Sequence, residues 1–188
     1  GWAKLPDFSL NLTIFNRRGA HPQLAKLVAD FTSLLILACE VKENESLLDH
    51  FRRLNQQFMV DLDHGDYSAV HVLRQWSQQR GEQVTLPVVF TSNLGRELLG
   101  ENAPGALHYL VSQTPQVWLD CQVMEYQKAL LISWDTVDAL FPEGMLDQMF
   151  AFMQQLLQSI VENEQVLQSP VQAYVDDKVL AHRQQPLS

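Results

Sequence analysis

Only two of the 188 residues are cysteine, and 13 Lys and Arg stand against 22 Asp and Glu. Cys39 and Cys121 both lie in apolar, strand-like stretches, which reads as buried free thiols in a reducing compartment rather than a disulfide or a metal site. A formal charge of -9 lacks the basic footprint that unaided nucleic-acid binding requires, so no nucleic-acid partner is expected. No apolar run approaches the roughly 20 residues of a spanning helix; the longest, Phe31–Cys39, is strand-sized. Nor does a basic segment followed by an apolar one open the chain, so neither a secretory signal nor a membrane partner is expected, and the reading is cytoplasmic. The six histidines show no HxxxH or HExxH pairing, and no metal is expected. GxGxxG, P-loop and GxSxG motifs are all missing, which weighs against nucleotide use and the common serine hydrolases.

What is present is a mixed pattern of strands and helices. Phe8–Asn16 alternates, with Phe8, Leu10, Leu12 and Ile14 on one face and Ser9, Asn11 and Thr13 on the other, and predicts a half-buried strand. A short helix is expected from His21 to Val28, then a largely buried strand over Leu34–Cys39. Ser46 has the character of an N-cap, with Leu47, Phe51, Leu54 and Phe58 following at helical spacing. A further helix is predicted over Ser68–Arg80, burying Val72, Leu73 and Trp76 and stopping at Gly81. Leu86–Ser92 reads as a strand and Asn93–Gly105 as a loop with a helical turn near Arg96–Leu99. Leu107–Val111, Val117–Met124 and Lys128–Trp134 read as strands, the last two hairpinned near Tyr126 and therefore antiparallel. Met145, Met149, Phe152, Met153, Leu156, Leu157, Ile160 and Val161 form one helical stripe, best read as core. Together these elements describe an α/β two-layer sandwich with a mixed sheet. Residues 1–164 form the folded lobe, and 165–188 read as a linker or tail toward a further domain.

The most chemically loaded stretch is Ser112–Gln122 (SQTPQVWLDCQ). Alternation puts Trp118, Asp120 and Gln122 on one face and Val117, Leu119, Cys121 and Val123 on the other. A rim carboxylate on a half-exposed sheet is the bland reading of Asp120. Trp118 and Gln122 beside it favour a lined cavity, where a carboxyl group can be tuned for proton transfer. Thr91 at the polar end of its strand, Asp30 and Thr32 at the opening of theirs, and Asn16 before Arg17-Arg18 each have an ordinary turn or strand-end reading. Asp61 and Asp66 suggest a paired-carboxylate motif, but a solvated acidic loop between two helices is the better account.

Three segments together carry a family resemblance: Ala29–Leu34 with Asp30 and Thr32, Leu86–Ser92 with Thr91 and Ser92, and Ser112–Gln122 with Gln113, Gln116, Trp118 and Asp120. In order and spacing they resemble motifs of heterocyclisation domains of nonribosomal peptide synthetases. The flanks agree as well, namely Leu10–Arg17 with Asn16, Asp61–His64, and Trp134-Asp135 before Leu140–Gly144.

The resemblance implies a C-terminal lobe of a chloramphenicol-acetyltransferase-like fold. Its N-terminal partner lobe, with the family's Asp-x4-Asp motif, would precede Gly1. It also implies amide formation between a carrier-bound acyl group and carrier-bound Cys, Ser or Thr, followed by cyclodehydration to a thiazoline or oxazoline, as in siderophore pathways. Asp120 would be the proton-transfer group and Thr91 its hydrogen-bonding companion. Asn16, Asp30, Thr32, Ser92, Gln113, Gln116 and Trp118 would support the tunnel. No cofactor would be bound directly; upstream and downstream carrier proteins would present substrates on phosphopantetheine, with an adenylation domain adjacent. The isolated lobe is expected to be inactive. An amide-forming lobe without cyclisation, or a carrier-docking lobe without catalysis, are the competing readings. One departure from the family is Cys121, where a histidine follows the motif aspartate.

Overall fold

The computed structural model describes residues 7–15, 23, 26–65, 67–100 and 103–170. Asn16, Asp66, half of the expected helix from His21 to Val28 and the last eighteen residues of the expected tail lie outside the described residues; at the described end of that helix, Leu27 and Val28 are irregular and exposed. Within them are five strands and three α-helices: β1 (Asp7–Phe15), β2 (Thr32–Glu40), α1 (Leu47–Asp63), α2 (Ala69–Arg80), β3 (Val88–Glu97), β4 (Leu119–Tyr126), β5 (Ala129–Thr136) and α3 (Met145–Glu162). The described residues divide into two compact units, one built from Ser9–Leu37 and Asp61–Val137, the other from Asp7 and Phe8, Ala38–Val60 and residues 138–170.

The strands make one sheet in the order β2-β1-β3-β4-β5. β1 with β3 and β3 with β4 run parallel, whereas β4 and β5 are antiparallel. Connection length dictates this: Gln127 and Lys128 alone join β4 to β5, while parallel neighbours need long crossovers. Both turn residues have positive φ, 51° and 61°, the requirement of a type I′ hairpin. The register aligns Leu12, Phe90, Cys121 and Trp134 across four strands. That apolar rung is the one alternation predicts, with Cys121 turned to it. Burial holds the Cys121 thiol above its ordinary pKa, with a smaller contribution of the same sign from Asp120, opposed by a hydrogen bond with Trp134.

β1 differs from its expected half-buried state. Its polar set is not all solvated, since Asn11 is only 6% exposed beside buried Leu12, while Phe8 of its apolar set is 44% exposed. β3 continues through Asn93–Glu97, where a loop was expected. Its register with β4 shifts between Asn93 and Glu97, at Gly95 (φ 83°), a backbone conformation that only glycine adopts cheaply. Glu125 stitches the irregularity closed, its carboxylate accepting from the Gly95 N–H at 2.9 Å and its carbonyl from the Leu98 N–H at 2.7 Å. Leu107–Val111, expected as a strand, is not one. The Tyr126 hydroxyl and the Asp135 carboxylate take the N–H groups of Leu107 and Ser112, so side chains hold the ends of this stretch where no ladder does. Tyr109 and Val111 are exposed accordingly.

In α1 the Ser46 hydroxyl accepts from the Asp49 N–H and donates to the Asp49 carboxylate, a reciprocal N-terminal cap. The preceding loop is clamped by Arg53, whose guanidinium grips both oxygens of Glu45 at 2.8 and 2.7 Å and the Glu40 carbonyl at 2.6 Å. His50 adds a contact to Glu45 at 3.0 Å. The Arg53 hydrogen bond holds the Glu45 carboxyl down at a pKa of about 2. After α3, a 3-10 turn over Glu164–Gln168 leads to Ser169, whose carbonyl accepts the Leu47 N–H at 3.0 Å.

Three helical expectations need correcting. α1 runs through Asp63, so Asp61, expected in a loop between two helices, lies in its last turn. Trp76 on α2 is 39% exposed rather than buried. None of the α3 stripe is fully buried, and Leu157 and Val161 are exposed. At 100° per residue the eight positions spread over about half the helix circumference, and these two lie at the edge of that arc.

Candidate active site

Adjacent to the apolar rung, the same strands carry two rungs of a different character. One aligns Asn11, Val89, Asp120 and Asp135; the other aligns Thr13, Thr91, Gln122 and Ser133. Because side chains alternate along a strand, both rungs face the side opposite Leu12, Phe90, Cys121 and Trp134. Seven of the eight residues are polar, on inner and neighbouring strands where apolar side chains are the norm.

Their side chains are only partly satisfied among themselves. Asp120 is 8% exposed; its Oδ2 accepts from Gln122 Nε2 at 3.2 Å, and its Oδ1 is buried with no hydrogen-bond partner. Asn11 donates through Nδ2 to the Leu86 carbonyl at 2.7 Å, while its Oδ1 is likewise buried and unpartnered, as is Ser133 Oγ. A buried polar atom without a partner is costly. All three belong to this one polar face, with Val89 standing between Asn11 and Asp120. Thr91 donates its hydroxyl hydrogen to Thr13 Oγ1 at 2.9 Å, not to Asp120.

Thr91, Asp120 and Gln122 are therefore brought together. Ser92 pairs with Val123, which alternation puts on the other face from Thr91. Asp30 and Thr32 open β2, where Asp30 Oδ1 accepts the Thr32 N–H at 2.8 Å and hydrogen bonds from Thr32 lower its pKa. That is the turn-closing role of the bland reading. Trp118 falls just before β4 and is 44% exposed. Its backbone is well anchored: its N–H reaches the Pro87 carbonyl at 2.8 Å and its carbonyl accepts from Val137 at 3.0 Å. Gln113 and Gln116 lie exposed on the loop leading to it, Gln116 with φ 69°.

Four residues of the polar rungs were not named as site residues from the sequence: Asn11, Thr13, Ser133 and Asp135, the last entering only as a flank of the family resemblance. Their signal was the polar half of an alternating strand, Ser9-Asn11-Thr13 and Ser133-Asp135. An open groove of about 440 Å³ lies elsewhere, at the hairpin end of the sheet, with Glu97, Tyr126 and Lys128 in its lining. Among the described residues no group of three or more His, Cys, Asp or Glu is placed to hold a metal ion, and no helix is long and apolar enough to cross a membrane.

No protein-family model matches the chain. It is 45% identical over 166 residues to pyochelin synthetase PchF of Pseudomonas aeruginosa, covering 86% of this chain and 9% of that protein. Phenyloxazoline synthase MbtB of Mycolicibacterium paratuberculosis is 37% identical over 155 residues, covering 80% of this chain and 13% of the other. The chain thus spans only a small part of the length of these relatives. Among solved structures, the EpoB cyclization-docking bidomain of a nonribosomal peptide synthetase from Sorangium cellulosum superposes with a TM-score of 0.74 at 34% identity. That likeness covers 86% of this chain and 34% of that one. By fold and sequence likeness the chain belongs to the heterocyclisation domains of nonribosomal peptide synthetases and forms one α/β lobe of that fold.

Proposed function

We propose that this chain is the C-terminal lobe of a heterocyclisation domain and supplies the acid–base chemistry of cyclodehydration. The observation that carries the reading is Asp120: buried, held through one oxygen by Gln122, and with its other oxygen unpartnered on a polar sheet face. The substrate is an amide formed from a carrier-bound acyl group and carrier-bound Cys, Ser or Thr. Attack of the side-chain thiol or hydroxyl on the amide carbon forms the ring bond, and the thiol or hydroxyl proton passes to the former carbonyl oxygen. Asp120 then takes the N–H proton as the C=N bond forms and delivers it to the departing hydroxyl, so one water leaves. A single carboxylate that both accepts and returns a proton suits this sequence.

Thr91 and Thr13, on the rung beside Asp120, orient the hydroxylated ring by hydrogen bonding. Gln113, Gln116 and Trp118, on the loop leading into β4, line the tunnel; Asp30 and Thr32 close the turn into β2, and Ser92 serves the opposite face of the sheet. Carrier proteins present the substrates on phosphopantetheine, an adenylation domain is the neighbour, and a companion lobe of the same domain completes the tunnel. Residues 1–164 make the lobe and 165–188 lead to the next domain, with 165–170 docked against the start of α1. Likeness to a pyochelin synthetase and a phenyloxazoline synthase supports a role for this chemistry in siderophore-type biosynthesis.

The test uses the full parent synthetase with loaded carriers and reads released products by mass. Asp120→Asn should leave amide formation measurable and lower ring formation by about 10²–10⁴-fold, the usual worth of a positioned proton carrier. Undiminished water loss in that variant would exclude Asp120. A wild-type parent that makes amide and never ring would favour a condensation lobe instead.

A further inference from the structure

Asp120 has a second carboxylate as its neighbour. Asp135 on β5 is its direct partner across the antiparallel β4–β5 pair. Opposed residues in such a pair sit about 4.5–5.5 Å apart at Cβ, and like charges so placed repel. Asp135 has a use that offsets this. Its Oδ2 accepts the Ser112 N–H at 2.8 Å, a charge-assisted bond reaching across 23 residues of chain.

Ser112 is where the Ser112–Gln122 stretch begins. The far end of its loop is held separately, by the Pro87 carbonyl on the N–H groups of Trp118 and Leu119 at 2.8 and 3.2 Å. Between these anchors the chain turns through Thr114–Val117, with one internal bond from Val117 N–H to the Thr114 carbonyl and with Gln116 at positive φ. The loop therefore has two fixed ends, and its first end is tied on the rung that carries Asp120.

We propose that Asp135 is a positioning residue for cyclodehydration: by binding the Ser112 N–H it fixes the 112–118 loop, with Gln113 and Gln116, beside Asp120. This rests on the reading of Asp120 as the proton carrier. The role belongs to the hydrogen bond and not to proton transfer. Asparagine, which keeps a carbonyl acceptor, preserves it; leucine, of similar size without an acceptor, does not.

Asp135→Asn and Asp135→Leu are made in the full parent synthetase beside Asp120→Asn. Two quantities are measured: the ring-to-amide product ratio, and hydrogen exchange of peptides covering 107–118. Asp135→Leu should lower the ratio at least tenfold and speed exchange in those peptides, while Asp135→Asn stays within about threefold of wild type in both. The proposal is overturned if Asp135→Leu leaves either quantity unchanged or loses amide formation together with the ring. It is equally overturned if Asp135→Asn falls as far as Asp135→Leu. If Asp120→Asn still loses water, the reading of Asp120 fails on its own, and exchange over 107–118 still decides whether Asp135 holds the loop.

Discussion

The hydroxyl of Thr91 on β3 gives its hydrogen to the hydroxyl of Thr13 on β1 at 2.9 Å, joining residues 78 positions apart. This bond ties the Thr91 side chain to a neighbouring strand on the polar face. Thr13 thereby sets the orientation of the Thr91 hydroxyl.

Substitution at this pair should separate ring closure from amide formation. In the parent synthetase, Thr91→Val should lower the ring-to-amide ratio by about tenfold, roughly 1.4 kcal/mol of differential stabilisation. Thr91→Ser, which keeps the hydroxyl, should stay within about threefold. Thr13→Val removes only the acceptor and should have the smaller effect of the two valine variants. Equal losses of amide and ring in Thr91→Val would show that Thr91 serves folding.

The clamp at Glu45 predicts an acid-sensitive component of stability. The folded carboxyl titrates at about 2, below its ordinary value of 4.5, chiefly because Arg53 hydrogen-bonds the charged form. A depressed folded pKa contributes stability that is full above the unfolded value and is lost as pH falls through the folded one. Urea unfolding should therefore lose a component between about pH 4.5 and 2, and Glu45→Gln should remove that component and cost about 1.5–3 kcal/mol at pH 7. A variant with the wild-type pH slope would refute the assignment.

Both thiols should resist modification. Burial raises the pKa of Cys39 and of Cys121, and the reactive species is the thiolate. Reaction of the native chain with a disulfide reagent at pH 7.4 should be at least tenfold slower than in urea. Fast native labelling at either position, mapped by peptide mass, would contradict the packing of the rung that contains Cys121 or the buried face of β2 that carries Cys39.

The β4–β5 turn is improvable. Lys128 holds φ 61°, a conformation costing an ordinary residue about 1 kcal/mol and glycine little. Lys128→Gly should raise stability to urea by up to about 1 kcal/mol, whereas Lys128→Val should lower it.

How far the sequence could be read follows from which interactions are local. Alternation is local, and it assigned Asp120 and Gln122 to one face and Cys121 to the other before any partner strand was known. The N-cap at Ser46 and the stop at Gly81 were legible for the same reason, since each depends on a few consecutive residues. Register is not local. Nothing near Asn11 announces that its rung continues through Val89 to Asp120, or that Asp135 closes it. Leu107–Val111 has the composition of a strand and lacks a ladder, because pairing is decided by what lies alongside. Trp118 was read as the first residue of the strand's polar face; its backbone anchors to Pro87 and Val137 place it just ahead of β4, 44% exposed.

The hairpin between β4 and β5 also has a temporal meaning. Its strands are joined by two residues, so pairing Asp120 with Asp135 and Gln122 with Ser133 closes a very short loop and can occur in microseconds. Bringing Thr13 to Thr91 means ordering a loop of 78 residues, and Asn11 to Leu86 one of 75. During synthesis β1 emerges first and must wait for β3 before its parallel partner exists. The acidic half of the face thus assembles quickly and late on the ribosome, and the Asn11–Thr13 half is the slow step that completes it. A lesion in β1 should consequently delay maturation of the site even where it leaves Asp120 and Asp135 already paired.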